Sequence, residues 1–418
     1  DNLIINYKSQ EIENKFRFEN TARMGDWKIT FGVNYEYAKY NNSTYNRIYI
    51  PPTPATSEKF DTLQFSSAFN MNKYGAFAQV TKRFFESRLR VSLGVRLDGN
   101  NYNKIMQNPF NQFAPRASAS YNLSDKYSVN FAIGRYTQLP AYTILGYQVG
   151  NELVNQNNGL RYIQADHING GLEYRPTSKS KISLEGFYKL YDYYPMSLSK
   201  GISLANLGTD FGVIGNEAVT PSSLGRAYGI ELMAQQKLVK GFYGILSYTW
   251  VRSEFTNSDG AFKSSSWDSR HLLTLTAGKE FKKKWSLGVR WRYVQGRPST
   301  PYLSRQSSQR AVYDINPSGI LDYGRINENT LSEFHQLDLR VDKTWNFKKW
   351  SLNIYLDIQN LYGFKAEERP LLIPREDGQQ NQIVLNPTAP YNEQYYDMEE
   401  VPNNSGTVLP TIGIIIDF

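Results

Sequence analysis

The sequence predicts an all-β protein, a transmembrane antiparallel β-barrel of about fifteen strands. Three observations carry this: long period-two segments, very short polar turns that alternate with long loops, and an unusual aromatic content. Aromatics make up 14% of 418 residues, with Tyr 31, Phe 22 and Trp 7, while hydrophobic residues reach only 40%. No run of about 18 apolar residues occurs, which excludes membrane-spanning helices. In a barrel only alternate residues face lipid, so the average stays polar while interfacial girdles consume Tyr, Trp and Phe.

The strands are expected in order as follows. The first lies near Ser9–Asn20, and the turn Met24-Gly25-Asp26 leads to Trp27–Tyr40. Lys73–Phe85 and Arg88–Tyr102 flank Glu86-Ser87; Phe113–Leu123 and Tyr127–Tyr142 flank Ser124-Asp125-Lys126. Ile163–Pro176 and Lys181–Met196 flank Thr177–Ser180, and Leu224–Val239 and Phe242–Phe255 flank Lys240-Gly241. Trp267–Phe281 and Trp285–Gln295 surround a triple lysine, Glu333–Phe347 and Trp350–Tyr362 a double lysine, and Thr407–Phe418 closes the chain. The expected long loops are Asn41–Asn72, Thr143–Tyr162, Ser197–Ser223, Pro301–Ser332 and Gly363–Gly406.

Alternation gives each strand two unlike faces. Trp350, Leu352, Ile354, Leu356 and Ile358 oppose Ser351, Asn353, Tyr355, Asp357 and Gln359. Leu89, Val91, Leu93, Val95 and Leu97 oppose Arg90, Ser92, Gly94, Arg96 and Asp98. The polar faces carry Arg, Asp, Asn, Gln, Ser and Gly, a mixture suited to a wet or protein-filled lumen. The competing architecture is a large soluble antiparallel protein. Strands of about 10 to 15 residues are long for that, and long enough to cross a bilayer at a tilt of about 45°.

The net charge of +8 is spread through turns such as Lys282-Lys283-Lys284 and along strands, with no basic helix or Gly-rich phosphate loop, so no nucleic-acid partner is expected. Cys is 0, which excludes thiol chemistry. His167, His271 and His335 are far apart and no G-x-S-x-G elbow occurs, so neither metal site, cofactor nor enzyme is expected. Asp268-Ser269-Arg270-His271 reads as a loop running into a strand, since neighbours on a strand point to opposite faces. The pairs Glu367-Glu368 and Glu399-Glu400 have nothing nearby in sequence to split their pKa values.

Candidate substrate-binding aromatics in the loops are Tyr142, Tyr147, Tyr391, Tyr395 and Tyr396, able to stack on sugars or flat chelates or to join an external aromatic belt. Candidate lumen-lining groups are Arg90, Arg96, Arg290, Arg292, Asp338, Arg340 and Asp357, which would line a path or pair with one another. The terminal segment TVLPTIGIIIDF places Ile414, Ile416 and Phe418 where it resembles the closing strand of an outer-membrane barrel, whose last aromatic is an assembly signal.

The segment FHQLDLRVDKTWNFKKWSLNIYLDIQNLYG (Phe334–Gly363) resembles two strands near the end of TonB-dependent outer-membrane transporters, especially of the Bacteroidetes kind. GRAYGIE at Gly225–Glu231, GILSYTWVRS at Gly244–Ser253, WDSRHLLTL at Trp267–Leu275, and APRASASYNL with FAIGRYTQLP at Ala114–Pro140 resemble further hairpins of that family. The resemblance implies a Gram-negative outer membrane, a barrel of about 22 strands, and a plug domain pulled by the TonB complex. It implies import of a scarce nutrient such as a siderophore complex, glycan or peptide. Residues 1–418 then read as the carboxy-terminal portion of the barrel, with strand parity calling for earlier strands and the plug outside this chain. Outer-membrane lipids and a surface lipoprotein are the other expected partners. The alternatives are a passive porin-like channel and a surface adhesin barrel acting with a lipoprotein.

Overall fold

The computed structural model describes residues 3–50, 59–208 and 215–418. One antiparallel sheet dominates it, and every wall strand pairs with its neighbours in sequence. The strands are β1 (Ile5–Met24), β2 (Trp27–Ile50), β3 (Lys59–Phe84), β4 (Leu89–Asn100), β5 (Ala114–Asn122), β6 (Tyr127–Gln138), β7 (Ile163–Thr177) and β8 (Ser180–Ser197). They continue as β9 (Val219–Val239), β10 (Phe242–Thr256), β11 (His271–Glu280), β12 (Trp285–Val294), β13 (Phe334–Asn346), β14 (Ser351–Gln359) and β15 (Leu409–Asp417). A short strand, Phe262–Ser264, adds to β10 beside this path. Among the described residues β1 and β15 each pair on one side only.

Period-two alternation sets the two faces. Trp27, Phe31 and Val33 on β2, Leu93 and Val95 on β4, and Ile354 and Leu356 on β14 are all exposed, as is Trp350 beside β14. Apolar side chains that face outward along a continuous sheet make a wall, not the surface of a water-soluble globule. Aromatics concentrate at its two rims. At the short-turn rim Tyr127 stacks on Tyr174 at 4.6 Å and Phe347 on Trp350 at 4.2 Å. At the long-loop rim Tyr188, Tyr228 and Trp250 form a row with centroid separations of 5.7 and 6.0 Å. Along β13 the rims sit at His335 and Trp345, matching the roughly 9–11 residues that a tilted strand needs to cross hydrocarbon.

The buried core does not lie within the sheet. It sits on the inner face at the long-loop end, where Ala38 and Met71 of β2 and β3 meet Tyr102, Met106, Leu145, Leu160, Tyr162, Leu204 and Val219. Loops therefore fold back over the wall and pack there.

The segment Asn41–Asn72, expected as a loop, is instead largely strand: β2 and β3 run on in unbroken register to the pair Ile50↔Lys59, and residues 51–58 lie outside the described residues. Asn42 and Thr44 are buried on the inner side of that extension, whereas Lys39 and Ser43 are exposed. Beyond the lipid a strand needs no apolar face, so its Asn, Ser and Thr residues imitate a loop. The expected loop Ser197–Ser223 is shorter, since β9 begins at Val219; its residues 209–214 also lie outside the described residues. The strand expected from Trp267 starts at His271, because Trp267–Arg270 wrap a turn around the buried Asp268.

Candidate functional site

On the inner face the strand register brings charges together. Arg290 of β12 and Asp338 of β13 are direct cross-strand partners, and Arg290 donates to Asp338 Oδ2 from Nε at 2.9 Å and from an η nitrogen at 2.7 Å. Arg292 reaches the same carboxylate at 3.8 Å. Asp338 Oδ1 accepts from the Asn360 backbone N–H at 3.0 Å and from Gln336 at 2.6 Å, so both oxygens are used. Arg340 pairs with Asp342 at 2.8 Å, approaches Asp357 at 4.0 Å and lies 3.8 Å over the Tyr355 ring. Arg96 grips Asp98 through two bonds of 2.7 and 2.6 Å, since residues two apart on a strand share a face. Arg90 stands on the same face of β4, with no such partner among the described residues.

The candidate tyrosines fall into two groups, and no hydrogen bond or ring contact joins them among the described residues. Tyr142 and Tyr147 belong to the loop between β6 and β7. The Tyr142 hydroxyl donates to Glu13 Oε1 at 2.6 Å, and Lys73 Nζ donates to that hydroxyl at 3.1 Å. Its ring stacks on Tyr40 at 5.7 Å, and burial followed by the Glu13 bond pushes its phenol up to about 12. Tyr147 packs edge-on against Phe65 at 5.5 Å. Lys73 completes the cluster with Glu36 at 2.7 Å. The alternation Glu11-x-Glu13-x-Lys15 on one face of β1 is the sequence signal that could have found this network.

Tyr391, Tyr395 and Tyr396 fold against the loop that links β12 to β13. Tyr391 donates to Asp314 Oδ2 at 2.7 Å and Tyr396 to Oδ1 at 2.9 Å. Arg310 lies over both rings at 5.2 and 5.7 Å, and Arg305 over Tyr395 at 5.4 Å. Its bond to Asp314, then burial, pushes the Tyr391 phenol up to about 12; burial foremost raises Tyr396. Tyr302, Val312, Ile320, Ile326 and Leu372 are buried beneath, so the two longest loops share a small core. Arg310 and Asp314 were not among the sequence candidates, although their spacing of four is a detectable helical ion-pair signal.

His271 and His335 lie at the long-loop rim, each bonded through Nδ1 to a tyrosine hydroxyl: Tyr248 at 2.8 Å and Tyr362 at 2.7 Å. Asp268 accepts from Ser253 N–H, Ser264 and Arg252, which makes it the pin of a turn. On β15, Ile414 and Ile416 pair with Ile354 and Leu352, and Phe418 is fully exposed at the rim.

The described residues form no hydrogen bond between a histidine and a serine or threonine hydroxyl; His271 and His335 are bonded to tyrosines. Together the described residues form an apolar-coated wall with a charged, internally bonded inner face and folded loops at one end. No curated protein matches the chain in sequence. In fold it is similar to the ferric-catecholate import receptor Fiu from K12 E. coli (TM-score 0.59, 12% identity, 98% of this chain and 55% of that one). It is likewise similar to the ferric yersiniabactin uptake receptor FyuA from Yersinia pestis (TM-score 0.60, 13% identity, 99% and 55%) and to the copper transporter OprC (TM-score 0.59, 17% identity, 99% and 57%). The chain thus spans little more than half the length of these structures. The family model described as TonB dependent receptor-like, beta-barrel matches residues 3–361, and the chain belongs to that family.

Proposed function

We propose that the chain forms the carboxy-terminal portion of the wall of an outer-membrane active transporter of the TonB-dependent, Bacteroidetes type. It resides in a Gram-negative outer membrane and imports a scarce nutrient (a siderophore complex, a glycan or a peptide) through a plug-gated barrel, without covalent chemistry. The observation that carries this reading is the division of one continuous sheet into an exposed apolar face and a paired polar face. In hydrocarbon every backbone N–H and C=O must be satisfied, so a spanning sheet closes on itself. The unpaired edges of β1 and β15 therefore call for further strands between them, and matches covering little more than half of each related structure support the same need. A plug would sit against the inner face and connect to the TonB complex.

A surface lipoprotein is the proposed external partner. Leu371 and Ile373 are exposed on the antiparallel pair of Leu371–Pro374 with Met398–Val401, within the loop between β14 and β15. The test is extraction from membranes followed by unboiled electrophoresis and nutrient-limited growth of a deletion strain. The protein is expected to need detergent, to migrate as a compact species until boiled, and to support growth on a single nutrient class. Release into buffer without detergent would defeat the reading.

A further inference from the structure

The inner faces of β1 to β6 carry charges that the ion pairs above leave unused. Two cross-strand pairs there are of like charge, Arg23 with Lys28 and Arg83 with Arg90. Like charges directly opposite on one face destabilise a sheet, so the wall's own packing gives no reason for them. Arg83 is offset by Asp26 at 3.8 Å. Among the described residues no carboxylate lies within ion-pair distance of Lys28, Arg90 or Arg116. Arg116 Nε donates instead to the uncharged Arg135 carbonyl at 3.4 Å.

Lys28 and Arg116 border a depression of about 570 Å³, together with Arg17, Arg96 and a single carboxylate, Glu19. A second depression of about 410 Å³ adjoins it through Ser92 and Ser118; it is lined by one cation, Arg90, and one carboxylate, Glu185, so the excess of positive charge belongs to the first. Glu19 takes Arg17 at 2.6 Å and Asp98 takes Arg96, which leaves Lys28 and Arg116 uncompensated at the first depression among the described residues. The aromatic faces that could stack on a sugar are already covered: Arg116 lies 4.2 Å over Tyr136 and Arg17 5.4 Å over Phe77. The concavity therefore offers charge, not stacking, and concave low-dielectric walls focus the field of such charges.

We propose that the first depression is a station for an anionic solute, whose carboxylate or phosphate group is held by Lys28 and Arg116. The inference rests on reading this face as the lumen of a transporter, and it narrows the cargo to anions. Neutral glycans are then not what this stretch of wall receives.

The test uses the polypeptide that carries this chain, extracted from membranes in detergent, with citrate and pyrophosphate as probes and maltotriose as the neutral control. Calorimetry is expected to show both anions binding, more weakly as salt rises, and maltotriose not binding. The Lys28→Gln/Arg116→Gln variant is expected to bind roughly tenfold more weakly, as is Arg116→Gln alone should the double variant fail to fold. Lys282→Gln, in a short turn, should match the parent. Equal binding by the folded variants overturns the proposal, and so does a parent that takes neither anion. Binding that emerges only after proteolysis removes an acidic segment also overturns it, assigning the cations to a protein contact. The transporter reading fails separately, through solubility without detergent, whatever the anions do.

Discussion

Tyr391 and Asp314 stand far apart in sequence, yet the phenol of one donates to the carboxylate of the other at 2.7 Å. With Tyr396 on the second oxygen, one carboxylate ties two long loops together. Asp314→Ala should therefore release both phenols and weaken local closure by about 1–3 kcal/mol, without unfolding the wall. Hydrogen exchange should rise in 301–328 and 385–400 and stay unchanged in β13 and β14.

The same clasp predicts a direction with pH. The Tyr391 phenol is raised by donating its proton to an anionic neighbour, so its contribution is fully present below the ordinary phenol value near 10. That contribution is lost as pH rises through about 12. Phenolate absorbance should show a late-titrating group that moves toward the ordinary range in Asp314→Asn, and no late group there would refute the clasp.

Arg290 and Asp338 are unequal partners. Asp338 is buried and also accepts the Asn360 N–H, whereas the Arg290 side chain is nearly half exposed. Arg290→Ala removes an ion pair worth about 0.2–1 kcal/mol. Asp338→Ala also strands a buried backbone donor, for about 1–3 kcal/mol. A double-mutant cycle read from the temperature at which the unboiled compact species disappears should rank Asp338→Ala the more damaging. The reverse order would mean that the Asn360 bond contributes nothing.

The two faces of β4 make opposite predictions at adjacent positions. Leu93 is 59% exposed toward the proposed lipid side, while Ser92 lies on the inner face at the margin of the depressions. An Arg on the lipid face at mid-membrane costs about 2–4 kcal/mol. Leu93→Arg should thus fold poorly into vesicles while Ser92→Arg folds normally. Equal folding would remove the basis for an outward lipid face.

How much of this was legible depended on lipid. Where a strand crosses the apolar slab, one face must be hydrophobic, and β13 and β14 were readable to within a few residues from Leu337, Leu339 and Val341 and from Leu352, Ile354 and Leu356. Past the slab that constraint ends, and the outer halves of β2 and β3 looked like loop because Asn41, Asn42, Ser43 and Thr44 carry no stripe. Tyr391 could be singled out by composition, but its pairing with Asp314 could not, since a contact between two separate loops leaves no spacing in the sequence. Lys28 and Arg116 come to border one depression, and this is visible only once the register is known.

Gly296 tests whether the loop after β12 closes as described. A Cβ built there would fall on the Leu331 carbonyl, a backbone atom that cannot swing aside, and the next residue Arg297 reaches Glu368 at 2.6 Å. Gly296→Ala must push the two loop stems apart, at about 1–3 kcal/mol by the usual cost of overpacking. Gly186 is the control: its Cβ would meet only the Gly229 carbonyl at 3.9 Å, an ordinary contact. Gly296→Ala should therefore open residues 297–331 to protease and raise their exchange, with the wall strands unaffected, while Gly186→Ala behaves as the parent. Because the stem sits beside the fused loops, the opening should also expose Tyr391 and Tyr396, and phenol titration should move earlier in the same variant. An intact loop in Gly296→Ala would mean that the stems leave room for a methyl group and that their close approach does not hold the loop shut.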